Sequence, residues 1–175
     1  MSYEIIDNFL DIEDFKELQA VMLGNDFPWF YSNQKTYIDP SLKSESINKD
    51  FNFQFTHFFY RDHSPQSQYW QTLKKFTEKL NPLSYTRVKA NLTTRTTEII
   101  EYGYHKDYVE DPPGLKTAVF YINTNNGKTI FQDGPIVDSI ENRLLVFDSN
   151  MIHAGTSSTD QNSRVLININ FFPNV

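Results

Sequence analysis

Four residues in the second half of the chain are of types that could do chemistry together. His105 and Asp107 form an H-x-D pair, and His153 and Arg164 follow later in the sequence. Two histidines and one carboxylate are the metal ligands of non-haem iron(II) oxygenases, in which they leave several coordination positions open. An arginine can bind a carboxylate through two parallel hydrogen bonds. Together the four residues indicate an oxidising metalloenzyme that also binds an organic acid.

The spacing of the H-x-D pair suits a β-strand. Residues two apart on a strand project from the same face, so His105 and Asp107 could hold one metal ion without distorting the backbone. His153 follows the apolar stretch Leu144–Phe147 and a turn, and it could complete the ligand set from a neighbouring strand. Because the chain contains no cysteine, a thiolate zinc site is excluded and Fe(II) is favoured.

Each of these signals also has a simpler interpretation. The H-x-D pair could be a strand histidine followed by an exposed acid, and Arg164 could be a surface cation at the start of a strand. A buried arginine, however, is costly unless it meets an anion. The occurrence of all four residues in one chain favours the catalytic interpretation.

The composition limits the class of protein. The 175 residues suffice for one hydrophobic core, and the net charge of −6 offers no basic face for nucleic acid. The N-terminus lacks the basic and apolar segments of a signal peptide, and no apolar run approaches the roughly 18 residues of a membrane span. We therefore expect a cytoplasmic protein that binds neither nucleic acid nor membranes; the oligomeric state is left open.

The pattern of apolar residues changes near Pro82. Upstream, segments with helical spacing are mixed with short segments that alternate as strands do. The predicted upstream elements are a strand at Tyr3–Asp7, a helix capped by Asp11 that runs to about Leu23, a strand at Phe51–Tyr60 and a helix from Ser64–Pro65 to about Leu80. Downstream, the predicted strands are Tyr85–Thr94, Glu98–Tyr104, Thr117–Asn123, Lys128–Phe131, Arg143–Phe147 and Arg164–Phe172.

This order of elements predicts a mainly β fold. Short antiparallel strands that follow helices are typical of a jelly-roll or barrel-like sheet packed against those helices. We expect a single domain over residues 1–175, with a helical and strand part at about 1–82 and a jelly-roll core at about 83–175. The open end of the barrel would hold the ligand.

Two further groups of residues could take part in binding. Arg87, Lys89 and Arg95 alternate on one predicted strand, and the sequence leaves open whether they meet an acidic substrate or are solvated. His57 and His63 are the remaining histidines. We expect His57 to be a packed strand residue and His63 a loop residue, rather than a second metal site.

Several motifs carry a resemblance to a known family over about residues 85–172. They resemble the 2-oxoglutarate and Fe(II)-dependent oxygenase superfamily, and within it the prolyl 4-hydroxylase-like branch. The N-terminal part is also similar to small single-domain members encoded by phages. The resemblance implies a double-stranded β-helix (jelly-roll) core. The segments that carry it are Tyr104–Asp107, Thr117–Asn123, Gly127–Phe131, His153–Gly155 and Ser163–Leu166.

The resemblance also implies roles for individual residues. His105, Asp107 and His153 would be the catalytic iron ligands. Arg164 would bind the C5 carboxylate of 2-oxoglutarate, and Tyr121 in the Phe-Tyr-Ile-Asn strand would contact the same carboxylate. A "G-G-x-T-x-F" stretch of related enzymes corresponds here to N-G-K-T-I-F, in which the threonine, Thr129, is a further candidate for a cosubstrate contact.

The implied reaction is a hydroxylation that uses dioxygen and releases succinate and CO2, with ascorbate as a candidate reductant. The implied substrate is a prolyl or other side chain of a protein or peptide. Two alternatives remain open from the residues alone: an oxygenase that acts on a small molecule, and a jelly-roll binding module without catalysis. A cupin-like enzyme without 2-oxoglutarate would leave Arg164 and Tyr121 without an anion to bind.

Overall fold

The computed structural model describes residues 2–35, 51–108 and 112–174 of the chain. Two α-helices and a short 3-10 helix accompany eleven strands within these ranges. The elements are β1 (Tyr3–Ile6), α1 (Ile12–Leu23), β2 (Phe30–Ser32), β3 (Gln54–Arg61), β4 (Ser64–Pro65), the 3-10 helix (Gln68–Leu73), α2 (Lys74–Leu80), β5 (Pro82–Thr94), β6 (Lys116–Tyr121), β7 (Lys128–Phe131), β8 (Ile136–Asp138), β9 (Leu144–Asp148), β10 (His153–Gly155) and β11 (Ser163–Pro173).

The strands form two antiparallel sheets. The larger sheet has the order β1-β9-β6-β11-β5-β3-β2, with β4 on β3, and the smaller sheet has the order β10-β7-β8. The predicted mainly β fold is therefore confirmed, and its two antiparallel sheets are those of a jelly roll. The N-terminal part supplies strands to the larger sheet, because β1 pairs with β9 and β3 pairs with β5.

The outer face of the larger sheet packs against the helices. Phe120 on β6 is fully buried, and its ring lies 6.0 Å from that of Phe15 on α1 and 4.9 Å from that of Phe76 on α2. Because side chains alternate along a strand, the neighbouring residues of Phe120 face the other way. Val119 and Tyr121, on either side of Phe120, therefore face the smaller sheet and pack in a cluster with Phe131.

The inner face of the larger sheet packs partly against the smaller sheet. Phe147 on β9 and Phe131 on β7 have their ring centroids 4.9 Å apart, and Tyr121 on β6 is buried in the same cluster. Since both faces of β6 are covered, residues 118–121 of this strand form a continuous apolar run. The apolar cluster closes one side of the space between the sheets.

The predicted helix start at Ser64–Pro65 is wrong. These residues form β4, which pairs with Tyr60 and Arg61 across a two-residue turn. Both turn residues, Asp62 and His63, have positive φ, as a type I′ hairpin turn requires. A Ser-Pro dipeptide is extended before the proline, so it fits a strand as well as a helix start.

The ends of the three helices show which of the predicted start and stop signals form the expected contacts. The 3-10 helix begins after Ser67, whose Oγ accepts a hydrogen bond from the backbone N–H of Tyr69 at 3.0 Å. Helix α2 ends at Leu80 as predicted, because Asn81 adopts the left-handed conformation with φ 44°. Helix α1 begins after Asp11, but the Asp11 side chain makes no capping hydrogen bond.

The predicted strand at Glu98–Tyr104 is also wrong. The segment runs beside β10 with only two isolated bridges, Glu101 to Thr156 and His105 to His153. The Oγ of Ser157 accepts the backbone N–H of Ile100 at 2.8 Å, so a side chain replaces part of the backbone ladder. The short strands β2, β4, β8 and β10 were not predicted, whereas Lys128–Phe131 has the predicted bounds.

None of the helices in the described ranges has the length and apolar character that a membrane span requires.

Candidate active site

His105 and His153 face each other at one end of the smaller sheet. Their backbones exchange two hydrogen bonds, of 2.9 and 3.0 Å, and their ring centroids lie 4.6 Å apart. The Nδ1 of His105 lies 3.1 Å from the carbonyl oxygen of Gly103, and the Nδ1 of His153 lies 2.9 Å from that of Met151. An Nδ1–H that donates to a carbonyl leaves the Nε2 lone pair free to bind a metal ion.

Asp107 is held by three donors from the larger sheet. Arg87 Nη2 donates to Oδ1 at 3.2 Å, and the side-chain amides of Asn168 and Asn170 donate to Oδ2 at 3.1 and 3.2 Å. Burial alone would raise the pKa of Asp107, but Arg87 and the two histidines outweigh it and hold the pKa well below its usual value. The carboxylate is therefore ionised and fixed in orientation.

The donor atoms of His105, Asp107 and His153 all lie within 4.8 Å of one another. Burial and the neighbouring His153 lower the pKa of His105 to about 4, so this imidazole is neutral at pH 7, as a metal ligand must be. Two imidazoles and one carboxylate, with no thiolate in the chain, fit Fe(II). The structure thus brings together the three residues that the sequence singled out as ligands.

Arg164 lies on β11 at the other end of the same cavity and is only 4% exposed. Its Nε donates to Ser139 Oγ at 2.9 Å and its Nη2 donates to Thr129 Oγ1 at 3.3 Å. The hydroxyl of Tyr121 also donates to Thr129 Oγ1, at 2.8 Å. The three residues predicted to bind the cosubstrate carboxylate therefore lie in one cluster.

No salt bridge among the described residues involves Arg164. Burial lowers its pKa from the usual value, although nearby tyrosines oppose the effect. A buried guanidinium with only hydroxyl partners lacks the anion that would offset its desolvation. This end of the cavity is thus suited to bind a carboxylate.

Gly127 gives Arg164 the space to reach the cavity. A Cβ at this position would lie 2.6 Å from Arg164 Cδ and 2.8 Å from the carbonyl oxygen of Ser157. Such distances are too short for any side chain larger than hydrogen. The glycine of the N-G-K-T-I-F stretch is therefore required by close packing against the arginine stem.

A cavity of about 90 Å³ joins the two ends. The backbone register orders its wall, because on β11 Arg164 pairs with Thr93 and Asn168 pairs with Lys89. Sequence reasoning missed several polar lining residues, although the alternating Ile-Asn-Ile-Asn pattern of β11 marks a polar face within an apolar strand. The missed lining residues are Lys35, Gln54, Asn91, Thr93, Tyr102 and Asn168.

The three basic residues that were predicted to alternate on one strand have three different environments. Arg87 binds Asp107, Lys89 lines the cavity and Arg95 is exposed beyond the end of the strand. The remaining histidines lie outside the cavity: the ring nitrogens of His57 contact Pro28 and Ser67, and His63 is an exposed turn residue. His57 is therefore a packed strand residue, as predicted.

Comparison with known proteins finds similar structures but no similar sequence. No protein-family model matches the chain, and no curated protein sequence is significantly similar to it. Among solved structures, the chain is similar to 2-oxoglutarate and Fe(II) oxygenases over nearly its whole length. The predicted resemblance to the prolyl hydroxylase branch is thus confirmed at the level of the fold.

Three of these structures illustrate the range. A prolyl hydroxylase from Trichoplax adhaerens, solved with a fragment of the oxygen degradation domain of hypoxia inducible factor, has a TM-score of 0.64 and 14% identity, over 98% of this chain and 83% of that one. A Pseudomonas putida prolyl-4-hydroxylase has a TM-score of 0.58 and 14% identity, over 98% and 92%. The α-ketoglutarate-dependent epimerase SnoN from nogalamycin biosynthesis has a TM-score of 0.62 and 10% identity, over 98% and 78%.

Proposed function

We propose that the protein is an Fe(II)- and 2-oxoglutarate-dependent dioxygenase that hydroxylates its substrate with release of succinate and CO2. His105, Asp107 and His153 are the proposed iron ligands. The observation that carries the proposal is that one cavity joins this ligand cluster to Arg164, a buried cation that has no carboxylate partner within the described ranges. A five-carbon dicarboxylate has one acid group for the metal end and one for the arginine.

The residues of the cavity prepare the site for such a ligand. When bound, Fe(II) would activate dioxygen for the coupled decarboxylation of 2-oxoglutarate and oxidation of a substrate C–H bond. The Gly103 and Met151 carbonyls fix the histidine rings, while Arg87 and two asparagines fix the carboxylate of Asp107. These contacts fix the orientation of the three side chains, which favours binding of a metal ion.

The distal carboxylate would bind at Arg164. The arginine offers a planar pair of N–H donors, and its stem is held by Gly127 and its Nε by Ser139. Thr129 and Tyr121 supply hydroxyl groups at the same end. Burial of this cluster excludes water, which strengthens the ion pair between guanidinium and carboxylate.

The proposed substrate is a prolyl or other side chain of a protein or peptide. Prolyl hydroxylases are among the solved structures with this fold, and one of them was solved with a peptide fragment. A small-molecule substrate is a second candidate, because the cavity is lined by lysine side chains that a neutral prolyl group would leave unpaired. SnoN, solved with Fe3+, α-ketoglutarate and a nogalamycin compound, shows that this fold also accommodates a small molecule.

Anaerobic absorption spectra test the proposal. Fe(II) and then 2-oxoglutarate are added to the metal-free protein, and the visible spectrum is compared with those of His105→Ala and Arg164→Ala. We expect a charge-transfer band in the wild type, no band in the first variant and a band that needs more 2-oxoglutarate in the second. Folded wild-type protein that binds Fe(II) but gives no band with 2-oxoglutarate would contradict the proposal.

A further inference from the structure

Two lysines enter the cavity in addition to Arg164. Lys35, from the segment after β2, has an Nζ that is fully shielded from solvent and has no hydrogen-bond partner within the described residues. This Nζ lies 3.1 Å from the ring centroid of Tyr102, which also lines the cavity. Lys89 projects from β5, with its Nζ 5.8 Å from the ring centroid of Phe58. Neither lysine forms a salt bridge with a carboxylate in the described part of the chain.

The register places the backbones of the two lysines at different levels of the cavity that both side chains line. Lys89 lies two residues from Arg87, which binds Asp107, and pairs with Asn168, which binds the same carboxylate. Lys35 is fixed at the other end, because its carbonyl oxygen accepts a hydrogen bond from Gln54 at 3.1 Å. Lys89 thus lies near the metal ligands.

Gln54 locates Lys35 along the sheet. It precedes Phe55, which pairs with Leu92, so it lies beside Thr93, the partner of Arg164. Lys35 therefore enters the cavity at the level of Arg164. The segment that carries Lys35 belongs to the N-terminal part, so this part of the chain contributes directly to the cavity.

The charges that residues 2–35, 51–108 and 112–174 place around the cavity do not balance without a second anion. Lys35, Lys89 and Arg164 line it with Asp107, whose charge is already matched by Arg87. A divalent metal ion and the dianion of 2-oxoglutarate would offset each other. Arg164 would contact one carboxylate of this dianion, and neither lysine has a counter-charge among the described residues.

The lysines are also in a state that an anion would stabilise. Burial, with smaller contributions from Arg164 and Lys89, lowers the pKa of Lys35 well below its usual value. Burial, followed by the nearby Arg87, lowers the pKa of Lys89 to about 8. A desolvated ammonium group gains most from a charged hydrogen-bond acceptor placed against it.

We propose that Lys35 and Lys89 form a second anion-binding subsite, which binds a carboxylate or phosphate group on the molecule that is oxidised. This rests on the proposed oxygenase function and names the class of its substrate. The anionic group can belong to a small acid or to an acidic side chain of a peptide, since the lysines recognise the same chemistry in both. The subsite would orient the substrate beside the metal ligands.

Two measurements on four variants test the subsite. Lys35→Met and Lys89→Met keep the volume of the side chain and remove its charge, Arg164→Ala marks the cosubstrate end, and Lys75→Met, on the exposed face of α2, is the matched control. The first measurement is the affinity for 2-oxoglutarate from the anaerobic absorption band with Fe(II). The second is calorimetric titration of inorganic phosphate into the protein loaded with Fe(II) and 2-oxoglutarate.

We expect the wild type and Lys75→Met to bind phosphate while 2-oxoglutarate stays bound. Each cavity lysine variant should weaken phosphate binding at least about tenfold, the effect of losing one charge-assisted hydrogen bond. The same variants should change the affinity for 2-oxoglutarate less than about threefold, well below the effect of Arg164→Ala. The subsite is disproved if phosphate displaces 2-oxoglutarate, if the lysine variants bind phosphate like the wild type, or if they weaken 2-oxoglutarate as Arg164→Ala does.

A failure of the oxygenase function would be visible separately. If the wild type gives no band with Fe(II) and 2-oxoglutarate, the function is wrong, and the phosphate titration of the metal-free variants still decides the subsite. Thermal unfolding supplies a control for folding: Lys35→Met and Lys89→Met should melt at or above the wild-type temperature, because each removes a buried charge that has no counter-charge among the described residues. Phosphate should raise the melting temperature of the wild type and of Lys75→Met, but not that of Lys35→Met or Lys89→Met.

Two pairs of compounds distinguish a small acid from a peptide as the source of the anion. N-acetyl-aspartate and a short peptide with one central aspartate are each compared with their asparagine counterparts for stimulation of succinate formation. Stimulation by the aspartate compound of either pair, lost in Lys89→Met, supports the subsite and identifies a small acid or a peptide as its source. Equal stimulation by aspartate and asparagine compounds overturns it.

Discussion

Along β5 and β11 the two faces of the larger sheet differ in chemistry, although the same strands supply both. On β5, Val88 and Ala90 are buried under the helices, whereas Lys89 between them lines the cavity. On β11, Ile167 and Ile169 face the helices and Asn168 binds Asp107. The two-residue period of a strand separates the functions, so one strand contributes to the hydrophobic core and to the candidate site. Substitutions one residue apart should therefore have separable effects.

The largest effect is expected from removal of a metal ligand on the cavity side. His105→Ala should weaken Fe(II) binding by more than about 100-fold, because changes in the groups that merely orient ligands already cost 10–100-fold. Equilibrium dialysis against Fe(II) under anaerobic conditions measures it. His63→Asn is the matched control, since His63 is exposed and asparagine tolerates its positive φ. Retention of wild-type affinity in His105→Ala would contradict the ligand assignment.

On the helix side, Phe120→Ala should lower the free energy of unfolding by about 3–5 kcal/mol. The ring is fully buried against Phe15 and Phe76, so its loss leaves a cavity that the helices cannot fill. Urea denaturation measures the loss. The protein that remains folded should bind Fe(II) with wild-type affinity. A strong loss of metal affinity in the folded variant would show that the two faces are coupled.

The cation end of the cavity is tested by Arg164→Met. We expect the affinity for 2-oxoglutarate to fall by roughly 30- to 100-fold, because a charged hydrogen-bonded pair contributes on the order of 2–3 kcal/mol. Fe(II) binding should not change, because the hydrogen bonds of Arg164 go to Ser139 and Thr129 and to none of the three metal ligands. Titration of the anaerobic absorption band with 2-oxoglutarate gives the comparison, and equal affinity in both proteins would exclude this role.

Gly127→Ala should weaken 2-oxoglutarate binding about tenfold, although it changes neither Arg164 nor any of the three metal ligands. The added Cβ would lie 2.6 Å from Arg164 Cδ, so the arginine must shift; displacement of a positioned group by a fraction of an ångström has a marked effect on binding. The same titration measures it. Unchanged affinity would mean that the arginine can reach its partners by another path.

The last prediction concerns a pH dependence that originates from Lys89. Burial lowers its folded-state pKa to about 8, below the value of about 10.4 of an unfolded lysine. Below pH 8 both states are protonated and the folded state bears the cost of the buried charge; as pH rises from 8 to 10 the folded state loses the proton first and gains stability. The free energy of unfolding of the metal-free protein should therefore rise by about 1–3 kcal/mol over this range relative to Lys89→Met. Parallel profiles of the two proteins would refute the assignment.

Sequence reasoning succeeded where the signal is local. Strand periodicity gave Lys128–Phe131 its observed bounds, and Asn81 marked the end of α2. It failed where a backbone segment depends on distant partners: Glu98–Tyr104 has strand composition, but Ser157 from another part of the chain binds the N–H of Ile100. Side-chain competition of this kind cannot be read from a window of neighbouring residues.

The sequence by itself determined the types and the order of the reactive groups: His105, Asp107 and His153 as a ligand set, and Arg164 as a cation on a buried strand. Only the tertiary structure decided how Arg87, Lys89 and Arg95 divide between Asp107, the cavity and solvent, and that Lys35 reaches the same cavity. The physical reason is that a strand period fixes which residues share a face, whereas the register between strands distant in sequence fixes what that face meets.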